Sequence, residues 1–428
     1  MIDIFKASRS SFFRKRTPVR RSLPIITIGF TLLIVGFVNS NAVGISRCPD
    51  TKEIWVGTWS TAQQLVEPHN LPPTPGLSNK TLRQVVCVSI GGSRLRMRFS
   101  NEFSSQPVTL QAVQIAVSKG DGTIDPATIT NLTFNGAAGV TLAPGGAALS
   151  DPFAFALQPR MELAITIYFG QTSPDVTGHP GSRTTSYILP GNQISAVDFS
   201  NSVKTDHWYV IDGIDVKAPP TAAAVAVLGN SITDGRGSGT NKQNRWTDVL
   251  AQRLLENPAT RQIGVLNLGI GGNCVLRECL GPSALDRFER DVLNQSGVRW
   301  LIILEGINDI GQTASQAAAE RVARDLIDAF EQIIEKAHAA GIRVYGATLL
   351  PFGKSFYDTD YREEARQRVN AWIRNSGRFD EVIDFEKALQ NPEAPQTILP
   401  EAHDGDFLHP SETGHRIMGS AVNLKLFE

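Results

Sequence analysis

At 428 residues the chain exceeds one ordinary hydrophobic core, so two domains are expected. It is 41% hydrophobic and 19% charged, with no low-complexity tract and no internal repeat, the composition of a globular protein rather than a disordered one. The formal net charge is −1, and no stretch after the N-terminal segment forms the basic stripe that nucleic-acid binding requires.

The first element reads as a targeting segment. Lys6, Arg9, Arg14, Lys15, Arg16, Arg20 and Arg21 precede the apolar run Leu23 to Val38, and the small residues Ser40 and Ala42 stand at −3 and −1 of a cleavage point. Residues 1–42 therefore read as a secretory signal peptide cleaved near Ala42. The alternative is an uncleaved anchor, for which the apolar run is slightly short. Arg20 and Arg21, followed by Ser22 and Leu23, weakly resemble a twin-arginine signal. Cleavage would leave 34 Lys and Arg against 41 Asp and Glu, a net charge of −7. A mildly acidic exported protein follows, secreted or periplasmic, with no nucleic-acid partner and no stable membrane partner.

Export permits disulfides, and the four cysteines are an even number. Cys274 and Cys279 flank only four residues, so a local bridge is expected there. Cys48 and Cys87 would then tie the mature N-terminus to a strand. A zinc site lacks both a CxxC pair and matching histidine spacing.

Residues 43–216 carry short β signals and no convincing amphipathic helix. "LRQVVCVSI" and "RLRMRFS", separated by "GGS", predict a hairpin, and "VTLQAVQIAV", "FAFAL", "ELAITIYFG" and "HWYVIDGIDV" follow between Gly, Pro, Asn and Asp. This is the pattern of a β-sandwich or jelly roll. Residues 217–224, "KAPPTAAA", read as a linker.

From residue 225 to 428 the period changes. Five continuous apolar strands, within "AAVAVLGN", "IGVLNLGI", "RWLIILEGI", "IRVYGATLL" and "EVIDF", alternate with helical stretches. That implies an α/β domain whose five-stranded parallel sheet is covered on both faces, with ligands at the carboxyl ends of its strands.

Those ends are polar. The first strand ends in Gly229-Asn230-Ser231, the second in "NLGIGGN", the third in "GINDI", and "DGDFLHP" lies far downstream. A phosphate-binding loop needs Lys followed by Ser or Thr after its glycines, and neither glycine-rich segment supplies it. Acyl transfer suits the four segments better, since it needs a hydroxyl nucleophile, a base, a group that orients the base, and oxyanion donors. Ser231 supplies the hydroxyl. Asp406 and His409 are three apart, close enough for the carboxylate to hold Nδ1 and leave Nε2 for the serine. The backbone N–H groups of Ser231 and Gly272 and the side-chain amide of Asn308 are candidate oxyanion donors.

In this order the segments resemble the SGNH/GDSL hydrolases, esterases on a flavodoxin-like sheet. "GNSITDG" is similar to the family's serine block, "NLGIGGN" to its glycine block, "GIND" to its asparagine block and "DFLH" to its Asp-x-x-His block. The resemblance spans roughly Ala222 to the C-terminus. It implies Ser231 as nucleophile, Asp406 and His409 as the rest of a triad, and Ser231, Gly272 and Asn308 as the oxyanion hole. Asn230 and Ile232 depart from the family's usual Asp and Leu. The β-rich first half matches the exported two-domain bacterial type.

Other residues have competing readings. His403 is also three residues from Asp406, on the side away from the family match, and "HDGDFLH" has the look of a metal cluster although the reaction needs neither metal nor cofactor. His338, His415, Trp246, Trp300 and Trp372 read as surface or packing residues. The long segment Leu349–Tyr361 and the Cys274–Cys279 loop are expected to wall a pocket. The β-rich half reads slightly better as structural than as a binding module. The expectation is a secreted serine esterase for short acyl or acetyl esters of a small molecule or polysaccharide. Rivals are a carbohydrate acetylesterase, a lipase or lysophospholipase, and a glycan-binding module with a vestigial hydrolase.

Overall fold

A computed structural model of the chain describes residues 52–428. Residues 1–42, read from the sequence as a signal peptide, and Cys48 lie outside these residues. Thr51 to Glu428 form one compact unit, and no described helix is long and apolar enough to cross a membrane.

The C-terminal half is built on a five-stranded parallel sheet in the order Ile263–Gly269, Ala223–Gly229, Val298–Leu304, Arg343–Ala347, Glu381–Ile383. All seven residues of Ala223–Gly229 are buried, as a central parallel strand requires. Burying side chains such as Val225 and Leu228 contributes about 1.5–3 kcal/mol each. The helices Trp246–Glu256 and Glu412–Ala421 pack on one another, as do Gln316–Ala339 and Asp360–Asn375. The strand order reverses direction between the first strand's two neighbours. A crevice forms at such a switch point, beyond the carboxyl ends of the strands.

The region before residue 219 is strand-rich and antiparallel, with no α-helix among its described residues. One sheet runs Ile54–Ser60, Ile211–Ala218, Gly92–Asn101, Phe153–Leu157, and a second is centred on Ser186–Pro190, Lys80–Cys87, Glu162–Phe169 and Val108–Gly120. The expected hairpin around "GGS" does not form. Lys80–Cys87 and Gly92–Asn101 belong to different sheets, so this segment is a corner between them. Val88 N–H bonds Met161 O at 3.1 Å and Ser89 N–H bonds Thr58 O at 2.8 Å, which takes the chain away from its own strand. The alternation in the second arm does hold, with Leu95, Met97 and Phe99 buried between less buried arginines.

Strand Ile211–Ala218 ends just before Pro219, and Ala223 already pairs with Ile263. The segment between the strands is therefore Pro219–Ala222, because the small apolar residues Ala223 and Ala224 are themselves buried sheet. The two halves share one hydrophobic core. They are also cross-linked by Gly57 N–H to Ser296 O at 2.8 Å, Val265 N–H to Ser89 Oγ at 3.0 Å, and Arg98 to Gln295 at 2.8 Å.

Candidate active site

Ser231 stands where the first parallel strand becomes a single helical turn, Ser231–Asp234. Asn230 caps that turn by accepting the Ile232 N–H on Oδ1 at 3.1 Å. Its Nδ2 donates to Glu305 Oε2 at 3.1 Å. Glu305 is fully buried, and burial pushes its carboxyl up to about 8 despite the opposing charge of Arg287. An aspartate at 230 would set a second carboxylate against this one, whereas an amide donates to it.

Ser231 Oγ lies 2.9 Å from His409 Nε2, and His409 Nδ1 lies 2.6 Å from Asp406 Oδ2. Asp406 also accepts the backbone N–H groups of Leu408 and His409 at 2.9 and 2.8 Å. Burial pushes the Asp406 carboxyl upward, but these hydrogen bonds win and hold it below the ordinary carboxylate range. It is therefore an ionised acceptor. That places the imidazole proton on Nδ1 and leaves the Nε2 lone pair for the serine. His409 is itself lowered, chiefly by burial; Asp406 opposes this, and Arg236 and Arg183 add to it. The lowering favours the neutral imidazole.

The Gly272 backbone is in the left-handed region at φ +71°, and a Cβ there would come 2.8 Å from Leu280. Neither Ser231 N–H nor Gly272 N–H meets an acceptor among the described residues. Asn308 donates one Nδ2 hydrogen to Asn273 O at 2.7 Å, and its Oδ1 accepts the Tyr357 hydroxyl at 3.0 Å. The amide is thereby oriented at both ends, and its second hydrogen stays free for an oxyanion. The Cys274–Cys279 bridge is present beside this loop. Cys87 makes no disulfide with any described residue, and its expected partner lies outside them.

Ser231, Gly272, Asn308 and His409 line a cavity of about 420 Å³. Phe356 and Tyr357 of the Leu349–Tyr361 segment wall it, as does Leu280 just past the disulfide. The strand-rich half also lines it, through Gln64, Glu67, Asn70, Arg183 and His207, where a purely structural role was favoured. Those residues and Tyr357 carry no motif. Only Tyr357 had a signal, its place in a long aromatic loop after a strand.

The competing residues sit elsewhere. His403 Nδ1 accepts the Gly405 N–H at 3.0 Å and its ring stacks on Phe407. His338 bonds Asp380 on the surface. His415 is buried between Trp246 N–H and Arg236 O. Trp246 and Trp300 are buried in the core, against Phe385 and Phe427, and Trp372 packs against it beside Phe330.

Residues 227–417 match the GDSL-like lipase/acylhydrolase family. No curated protein matches the chain. Among solved structures, a lipolytic protein of the G-D-S-L family from Desulfitobacterium hafniense is 22% identical, with 46% of this chain and 97% of that one covered and a TM-score of 0.36. A member of the lipolytic G-D-S-L family from Veillonella parvula is 22% identical over 48% of this chain and 98% of its own, with a TM-score of 0.36. A catalytic mutant of an acetylxylan esterase from Geobacillus stearothermophilus is 20% identical over 47% and 93%, with a TM-score of 0.37. With the matched region spanning the serine, glycine, asparagine and Asp-x-x-His segments, the chain carries a hydrolase domain of the SGNH/GDSL family.

Proposed function

We propose that the protein is an exported serine esterase that hydrolyses carboxylic esters with short acyl groups through an acyl-enzyme on Ser231. The observation that carries this reading is the unbroken hydrogen-bond chain from Ser231 Oγ through His409 to Asp406, opening on a cavity with unused N–H donors. His409 Nε2 takes the Ser231 proton as Oγ attacks the carbonyl carbon. The oxyanion is held by Ser231 N–H, Gly272 N–H and Asn308 Nδ2. The C–O bond to the alcohol then breaks, and the imidazolium returns the proton to the departing oxygen. Water, deprotonated by the same imidazole, attacks the acyl-enzyme and releases the acid.

Residues 43–216 act as the accessory part and residues 225–428 as the catalytic part, with the former supplying a cavity wall. That wall is polar, with Gln64, Asn70, Arg183 and His207, and it favours a hydrophilic ester such as an acetylated carbohydrate over a long acyl chain. Export is supported by the basic-then-apolar N-terminal segment and by the disulfide.

The test is hydrolysis of nitrophenyl esters of increasing chain length, and acetate release from acetylated xylan and pectin, beside Ser231→Ala. The variant should lose at least about a thousandfold in kcat/KM. Full activity in Ser231→Ala overturns the mechanism, and a preference for long chains overturns the substrate class.

A further inference from the structure

Four side chains that line the cavity beside Ser231 belong to arginines or carboxylic acids: Glu67, Asp234, Arg183 and Arg236. The acids are already occupied. Glu67 accepts Gln64 Nε2 at 2.6 Å and Asn70 Nδ2 at 3.0 Å, and Asp234 is held by His179 at 2.9 Å. The arginines are not. Among the described residues neither guanidinium has a carboxylate or a hydrogen-bond acceptor, and Arg183 Nε is buried with none. The buried arginines of the described residues are all held, Arg245 by Asp248, Arg287 by Asp291, Arg366 by Glu363 and Arg83 by the carbonyls of Gly122 and Ala196.

The backbones of both arginines are fixed relative to Ser231, with Arg183 half-buried and Arg236 exposed. Arg236 follows Gly235, which caps the turn that begins at Ser231; its N–H bonds Ser231 O at 2.9 Å and its carbonyl accepts His415 Nε2 at 2.9 Å. Arg183 has φ +50°, which non-glycine residues rarely adopt. This backbone is held by Asn241 N–H on Arg183 O at 2.9 Å and by the Arg245 guanidinium on Ser182 O. A constrained backbone that aims an unpaired guanidinium at a cavity is a mark of binding rather than of folding.

Resting on the esterase reading above, we infer that the substrate carries a carboxylate, bound by Arg183 and Arg236 next to the reacting ester. Guanidinium groups match carboxylates in bidentate geometry. The charges also bear on the chemistry, because both arginines disfavour the imidazolium that His409 becomes as Ser231 gives up its proton. A substrate anion lying between them removes that penalty, so the preference appears in kcat as well as in KM.

The experiment compares matched esters: 4-nitrophenyl hydrogen glutarate against 4-nitrophenyl pentanoate for an anion on the acyl side, and 4-acetoxybenzoate against 4-acetoxybenzamide for an anion on the alcohol side. In one pair the anionic member should be favoured about tenfold or more in kcat/KM, the effect of one charge-assisted hydrogen bond. That ratio should fall toward one in Arg183→Gln and Arg236→Gln. Equal or better use of the neutral member of both pairs by the unaltered protein overturns the inference. Calorimetric titration of the Ser231→Ala protein with 4-acetoxybenzoate and 4-acetoxybenzamide gives a readout without turnover. Tighter binding of the carboxylate supports the anion site even if no ester is cleaved, in which case only the esterase reading fails. Equal binding of the two, with no preference for the glutarate ester and with neutral esters still cleaved, sinks the anion site alone.

Discussion

His179, from the strand-rich half, bonds Asp234 with Nε2 at 2.9 Å, and Asp234 closes the helical turn that Ser231 opens. Its other ring nitrogen bonds Ala62 O at 2.9 Å, so the histidine spans the first half and the turn of Ser231. Both side chains are buried, and Gly181 leaves room for the carboxylate, since a Cβ there would lie 1.9 Å from Asp234 Oδ2. The strand-rich half is thus fastened to the turn that carries Ser231.

Removing the histidine leaves a buried side-chain oxygen of Asp234 without its hydrogen-bond partner, which costs about 1–3 kcal/mol. His179→Ala should lower the midpoint of denaturant unfolding accordingly and reduce kcat more than it raises KM, because Ser231 rather than the cavity wall loses support. Unchanged unfolding and turnover would show that the contact does not hold the turn.

Tyr357 and Asn308 should behave as one unit. Asn308→Ala removes a donor and should cost about 100-fold or more in kcat. Tyr357→Phe removes only the hydroxyl that fixes Asn308 Oδ1 at 3.0 Å, and should cost less, with KM nearly unchanged. The double variant should be little worse than Asn308→Ala, since the hydroxyl acts through the amide. Additive losses would mean that Tyr357 contacts the substrate instead.

The strand-end residues were legible because the hydrophobic period changes near residue 223 and the polar residues follow apolar runs directly. Ser231, Gly272 and Asn308 could be placed at one edge of a sheet without knowing its strand order, and the spacing of Asp406 and His409 brings carboxylate to imidazole within a turn. The contacts between the halves were not legible. Arg183 and His207 line the cavity only because the strand-rich half folds over it, and no local pattern marks that. The "GGS" corner shows the same limit: the local signal of a hairpin is also that of a crossing between sheets, and distant partners such as Met161 decide between them.

The Cys274–Cys279 bridge closes a short loop beside Gly272, and a loop of this size stabilises by about 2 kcal/mol through the unfolded chain. Cys274→Ser with Cys279→Ser should therefore unfold at lower denaturant. It should also lose turnover, because the Gly272 N–H and Asn273 O, which receives Asn308, sit at the base of the loop. Full turnover in the double variant would show that the amide donors are held without the bridge.

The pH dependence follows from two histidines. His409 is lowered by burial, with Arg236 and Arg183 adding to this against Asp406. It stays neutral below the pH at which a free histidine protonates, so kcat/KM for a neutral ester should rise to its plateau with an inflection below about 6.5. Arg236→Gln removes one of the lowering charges and should move the inflection upward. His415, buried between Trp246 N–H and Arg236 O, is lowered to about 4 by burial. The unfolded chain binds this proton from about pH 6.5 downward while the folded chain refuses it until about 4, so stability falls as the pH drops through that window. The loss is at most about 3 kcal/mol for this group, at 1.36 kcal/mol per unit. His415→Gln should flatten that limb of the unfolding midpoint against pH without moving the kinetic inflection. A shift of both together would mean that His415, not His409, sets the kinetic ionisation.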